Sequence, residues 1–175
     1  MKKRFLHMVA FFALAAGLSL TSCSKEDPAQ VVDFDSFALA QGTIEGIAFA
    51  NYDASSAAAQ YAPAGTVIFL TVSFNDLGIS NAFNGETKQL QATVTGSKGE
   101  FKFTGIPLNR YQPTLVTIEG QPFVKGFTYQ DGWEAGEPVY VTKDFTFIAS
   151  QLKPTLQPGS KNFVTITYNP DELFQ

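Results

Sequence analysis

The chain is poor in the side chains that do chemistry. In 175 residues there is one Cys, one His and two Met, and all four lie at the start, as Met1, His7, Met8 and Cys23. From Ser24 onward there is no imidazole, thiol or thioether. That excludes Ser–His and Cys–His nucleophile activation, and every His- or thiolate-ligated zinc, iron or copper centre in the body of the chain. A lone Cys forms no disulfide within the chain. Arginine is as scarce, with only Arg4 and Arg110. Lys and Arg total 12 against 16 Asp and Glu, and beyond Arg4 there is no basic run, so a nucleic acid backbone is excluded as a partner. Carboxylates are plentiful, but glycoside hydrolysis needs two of them facing one cleft about 5–10 Å apart, and no spacing singles out such a pair. The expectation is a protein without enzyme activity, cofactor or metal.

Long apolar runs are confined in the same way. Phe5 to Leu20 is apolar and follows Lys2, Lys3 and Arg4, the layout of a cleaved leader rather than a spanning helix. Leu20-Thr21-Ser22-Cys23 resembles the bacterial lipobox, in which small residues precede a Cys that is linked to diacylglycerol before cleavage. The competing reading is an ordinary signal peptide with a free Cys. The lipobox implies residues 1–22 as signal peptide and Cys23 as the lipidated residue, held at the membrane by acyl chains worth about 0.8 kcal/mol per buried methylene. Cleavage there takes three basic residues and no acid, so the formal charge moves from −4 to −7.

Ser24, Lys25, Glu26 and Asp27 follow. They resemble the short acidic export signal of Bacteroidetes lipoproteins on the outer face of the outer membrane. The resemblance implies a lipid-anchored protein at the cell surface; the alternative is the periplasmic face. Residues 23–42 read as acylated Cys and flexible tether, with Pro28 and little periodicity, although Val31 to Asp35 suits an edge strand equally.

From Thr43 the pattern is β. Thr, Val, Ile, Phe and Tyr cluster in short runs broken by Gly, Pro, Asn and Asp, predicting strands near 43–50, 66–74, 87–95, 100–104, 113–119, 122–129, 138–148 and 162–168. Phe101 and Phe103 share one face of their strand. Val164, Ile166 and Tyr168 share a face of the last, opposite Thr165 and Thr167. Ala54 to Gln60 suits a short helical turn capped by Asp53 or a small-residue loop. Three of the 17 Phe fall in the leader, and the remaining 14 fill a core without disulfides, at roughly 1.5–3 kcal/mol for each fully buried side chain. Seven or eight strands at this spacing predict an all-β sandwich over residues 43–175.

Two stretches carry a family resemblance. Gly46 on the first strand, then Pro63, Gly65 and Val67 opening the second, form one. The other runs from the turn at Gly99 through Phe101 and Phe103 to Ile106-Pro107 and Tyr111. Together they resemble the prealbumin-like, carboxypeptidase-regulatory-like (transthyretin-like) β-sandwich family. Gly159 before the Phe163 to Tyr168 strand resembles its closing strand. Asn109 stands where that family has Gly, which a left-handed backbone position explains. The resemblance spans roughly residues 43–168 and implies an antiparallel Greek-key sandwich of seven to eight strands, usually a stalk, docking module or accessory, with no catalytic residue.

The most suggestive local cluster runs from Tyr129 to Tyr140. It holds Tyr129, Asp131, Trp133, Glu134, Glu137 and Tyr140, including the only Trp. Three readings stand. Asp131-Gly132 is a hairpin turn signal, with solvated carboxylates and Trp133 folded back on the sandwich. Alternatively, exposed aromatic faces stack on sugars or meet a protein partner. Thirdly, Asp131, Glu134 and Glu137 offer oxygens to calcium, although their spacing matches no EF-hand. Arg110 either packs its stem on the surface or serves as a docking contact. The expected role is a binding or structural module meeting another envelope protein; the alternative is a glycan-binding accessory of polysaccharide uptake.

Overall fold

The computed structural model describes residues 37, 39–79 and 85–171. Cys23, Ser24, Lys25, Glu26 and Asp27, the leader, most of the tether and the last four residues lie outside the described residues.

Alternation of apolar and polar side chains builds nine strands there: β1 (Ala40–Ala50), β2 (Val67–Ser73), β3 (Thr87–Thr93), β4 (Glu100–Leu108), β5 (Thr114–Gly120), β6 (Phe123–Glu134), β7 (Glu137–Ala149), β8 (Thr155–Leu156) and β9 (Lys161–Pro170). Eight match the expected runs. The addition, β8, pairs with β5 through two residues, too short for any alternation to announce it.

The strands form two sheets, β4-β1-β9-β7-β6 and β3-β2-β5-β8. Every pairing is antiparallel except β1 with β9, which run parallel from Thr43↔Lys161 to Ala50↔Tyr168. The fold is all-β, with the two-sheet arrangement of a β-sandwich. Its core is made by the inward faces: Ile44 and Ala48 on β1, Ile68, Leu70 and Val72 on β2, Phe101, Phe103 and Leu108 on β4, Val116 and Ile118 on β5, and Ile166 and Tyr168 on β9. Phe101 and Phe103 are buried where the alternation places them, and their rings meet edge to face at 6.1 Å. Burying such faces is the dominant favourable term of a disulfide-free fold.

One open alternative is decided in favour of the loop, and one expectation changes. Residues 54–60 form no helix. Asp53 instead caps a turn, its Oδ1 accepting from Ser55 N at 3.0 Å, while the segment pairs with β6 through Asp53↔Thr128. Nor is Asn109 left-handed: Ala135 is the non-Gly residue with positive φ among those described. Asn109 is used for its side chain, whose Oδ1 accepts from the backbone N–H of Tyr111 at 2.9 Å and of Gln112 at 3.2 Å. Its own N–H donates to the buried Thr114 hydroxyl at 2.8 Å. The β4–β5 loop is thereby fixed from within, and it presents Arg110 and Tyr111 to solvent, the latter 86% exposed.

Candidate functional site: the β6–β7 arm

β6 and β7 pair from Phe123↔Phe147 to Glu134↔Glu137. β9 accompanies β7 only over Phe147 to Ala149, followed by one bond from Asp171 N to Thr146 O. On the other side, Tyr52 and Ala54 bond to the backbone of Thr128. Past these supports, no described residue extends the ladder on either edge. The hairpin therefore continues as a two-stranded arm, and every residue from Gln130 to Glu137 is exposed.

The arm turns at Ala135-Gly136, with φ of 50° and 89°. Two left-handed residues make the two-residue turn that matches strand twist; Gly136 takes its place without penalty, whereas Ala135 costs roughly 1–2 kcal/mol. Asp131-Gly132 is not the turn. The ladder passes from Gln130↔Tyr140 to Trp133↔Pro138 with a register shift between them, so Asp131-Gly132 is absorbed as a bulge.

That bulge decides which side chains meet. Without it, Trp133 would share the face of Tyr129. With one extra residue inserted, Trp133 moves to the face of Gln130, Pro138 and Tyr140, and Tyr129 stays opposite. On the Tyr129 face, Phe127 and Tyr129 stack at 5.8 Å, and Phe145 meets both edge-on at 5.4 and 6.0 Å. Lys143 lies 5.7 Å from the Tyr129 ring. The Tyr129 hydroxyl beside it, aided by the Asp131 carboxylate, holds its ammonium above the usual lysine range. Lys125 sits 4.0 Å over the Tyr52 ring, tying the arm to the 51–60 loop by a cation–π contact.

The other face is open. Trp133 is 71% exposed and Tyr140 44%, so Trp133 does not fold back on the sandwich. Glu134 and Glu137 stand opposite each other beside the turn, where solvent separates their like charges. Among the described residues, no three His, Cys, Asp or Glu side chains gather to hold a metal ion, so Asp131, Glu134 and Glu137 do not form the cluster that the calcium reading requires. Of the six candidates, then, Trp133, Glu134, Glu137 and Tyr140 crowd the arm's exposed end, while Tyr129 belongs to its aromatic inner face.

Two further surfaces lie outside the arm. One is the Arg110-Tyr111 loop, where the exposed Tyr111 joins Arg110, the docking contact that the sequence suggests. The other is a strip across the five-stranded sheet, in which Phe163, Glu45 and Lys102 lie side by side as Cα partners. Its signal was present: if Val164, Ile166 and Tyr168 face inward, alternation puts Phe163 on the outward face with Thr165 and Thr167. Set beside models of known families, curated proteins and solved structures, the chain finds no match in any of the three.

Proposed function

We propose that this protein is a lipoprotein anchored in the outer membrane through Cys23, exposed at the cell surface, and acting as a non-enzymatic protein-binding or structural module of an envelope assembly. The finer fold reading that goes with it is a prealbumin-like Greek-key sandwich, supported by the Gly46, Pro63-Gly65-Val67 and Phe101 to Tyr111 motifs. The observation that carries the docking role is the arm, a two-stranded extension with an exposed aromatic and acidic end. Binding surfaces favour Trp, Tyr and Arg held rigidly, because such residues contribute large contact area at small entropic cost. Trp133 and Tyr140 on the arm and Arg110 with Tyr111 on the capped loop are of that kind.

The anchor is tested by Cys23→Ala. The variant is expected to leave the membrane fraction and appear soluble. Retention in membranes would sink the lipobox reading. External protease on intact cells is expected to remove the wild-type protein, and full protection would place it on the periplasmic face.

A second reading is favoured by one observation: the bulge brings Trp133 and Tyr140 to the same open face, where a sugar ring stacks on aromatic surface with hydroxyl acceptors near by. A glycan-binding arm predicts that Trp133→Ala abolishes retention on immobilised polysaccharide and leaves the melting temperature unchanged, since an exposed side chain contributes within about 0.5 kcal/mol to stability. Absence of wild-type retention across a broad polysaccharide panel would end that reading and leave the protein-docking one.

A further inference from the structure

The strip formed by Phe163, Glu45 and Lys102 is separate from the arm. Glu45 on β1 is the Cα partner of both Phe163 on β9 and Lys102 on β4, so the three side chains line up across the outward face. Lys102 Nζ donates to Glu45 Oε1 at 2.7 Å. That contact holds the Glu45 carboxyl below its usual range, leaving it an acceptor at neutral pH. Past β4 the surface turns the sandwich corner to β3, where Thr95 bridges Glu100, and the hydroxyls of Thr93 and Thr95 complete a concave groove of about 350 Å³.

We propose that this groove binds a short neutral saccharide. Phe163, 65% exposed, offers an apolar plane at one end. Beside it stand a paired ammonium, two carboxylates and two threonines, while Phe101, the second aromatic of the lining, is buried beneath. A pyranose has the complementary form, a C–H face to stack on the phenyl ring and hydroxyls around its rim. Charge favours neither sign: Glu45 is paired with Lys102 and also feels Lys161, Glu100 offsets that second ammonium, and the balanced surface does not recruit an ionic ligand. An extended peptide would want several apolar subsites, and the groove provides one.

The test uses the full-length protein, solubilised in a detergent without a sugar headgroup and titrated calorimetrically with gluco-, manno- and xylo-hexasaccharides. At least one is expected to bind in the millimolar range or tighter. Phe163→Ala is expected to weaken that binding roughly tenfold, the worth of one good aromatic contact. Glu45→Gln should weaken it also. Both variants are expected to fold, because Phe163 is exposed and an ion pair with both partners more than half exposed contributes little to stability. Loss of sugar binding in Trp133→Ala with full affinity kept in Phe163→Ala would place the saccharide on the arm and overturn the proposal. Failure of all three sugars to bind at millimolar concentration, affinity unaltered by Phe163→Ala, or saturation by an unstructured peptide in place of sugar would each overturn the proposal.

Discussion

Phe147→Ala is expected to destabilise the protein by about 3–5 kcal/mol, the range for emptying a buried aromatic site, and to lower Tm by roughly 10 °C in a chain of this size. Phe147 is fully buried at the point where β7 leaves β9 and enters the arm, opposite Phe123 on one side and Pro170 on the other. Its ring lies parallel to Phe123 at 5.3 Å, and Tyr52 and Phe127 meet it edge-on at 6.1 and 6.2 Å. One side chain thus joins the sandwich, the 51–60 loop and the base of the arm. The cavity left by Ala has contributors from all three and cannot be closed by shifting one of them. Urea unfolding gives the global loss. Hydrogen exchange adds the local one: amides of Val124 to Gln130 and Val139 to Thr146 should lose protection before those of β2 and β5. Equal loss of protection throughout would show that the arm has no separate stability to lose.

The body of the sandwich was legible because its strands alternate. Phe101 against Lys102, and Ile166 and Tyr168 against Thr165 and Thr167, report burial one residue at a time, and the structure buries the inward members. The parallel pairing of β1 with β9 was not legible, since nothing local distinguishes the two edges of β1; the partner arrives more than a hundred residues later in the chain. At the arm, the difficulty was competition between signals. Asp131-Gly132 is the stronger turn pair in isolation, but a two-residue turn there would pair Gln130 with Trp133 and put Tyr140 opposite Phe123, in place of the buried Phe147 that stands there. Turning at Ala135-Gly136 keeps the hairpin paired as far as Glu134↔Glu137, and the gain in pairing offsets the strain at Ala135 and the unpaired bulge residue. A single inserted residue then exchanges faces for everything beyond it, which is why Tyr129 and Trp133, four positions apart, do not share a site. Phe163 is hidden for a different reason: its type belongs with core residues, and its place on the polar side of β9 alone marks it as exposed.

Raising the pH through 10 toward 12 is expected to remove about 2–3 kcal/mol of stability through one residue, Tyr168. Its ring is fully buried, tilted against Phe123 at 5.0 Å. Its hydroxyl finds no hydrogen-bond partner among the described residues. The hydroxyl points at Gly120 on β5, and a Cβ there would overlap it, standing 2.5 Å from the ring carbon that bears the oxygen and 2.9 Å from the Ala149 methyl. Burial disfavours the phenolate and pushes this Tyr up to about 12, against about 10 in an unfolded chain. Because the fold prefers the neutral form, its contribution is fully present below pH 10 and is lost as the unfolded chain, but not the native one, releases its proton; two pH units at 1.36 kcal/mol each set the size. Tyr168→Phe separates this from the other groups that titrate in the same window. Near neutrality the variant is expected to equal or exceed the wild type, since it removes a hydroxyl buried without a partner, which costs about 1–3 kcal/mol. At high pH its advantage should widen by about a further 2 kcal/mol, read as a growing gap between urea midpoints from about pH 9 to about pH 11.5. A constant gap over that range would mean that the hydroxyl already reaches solvent or a partner in the folded protein, and that Gly120 is kept for a reason other than making room for it.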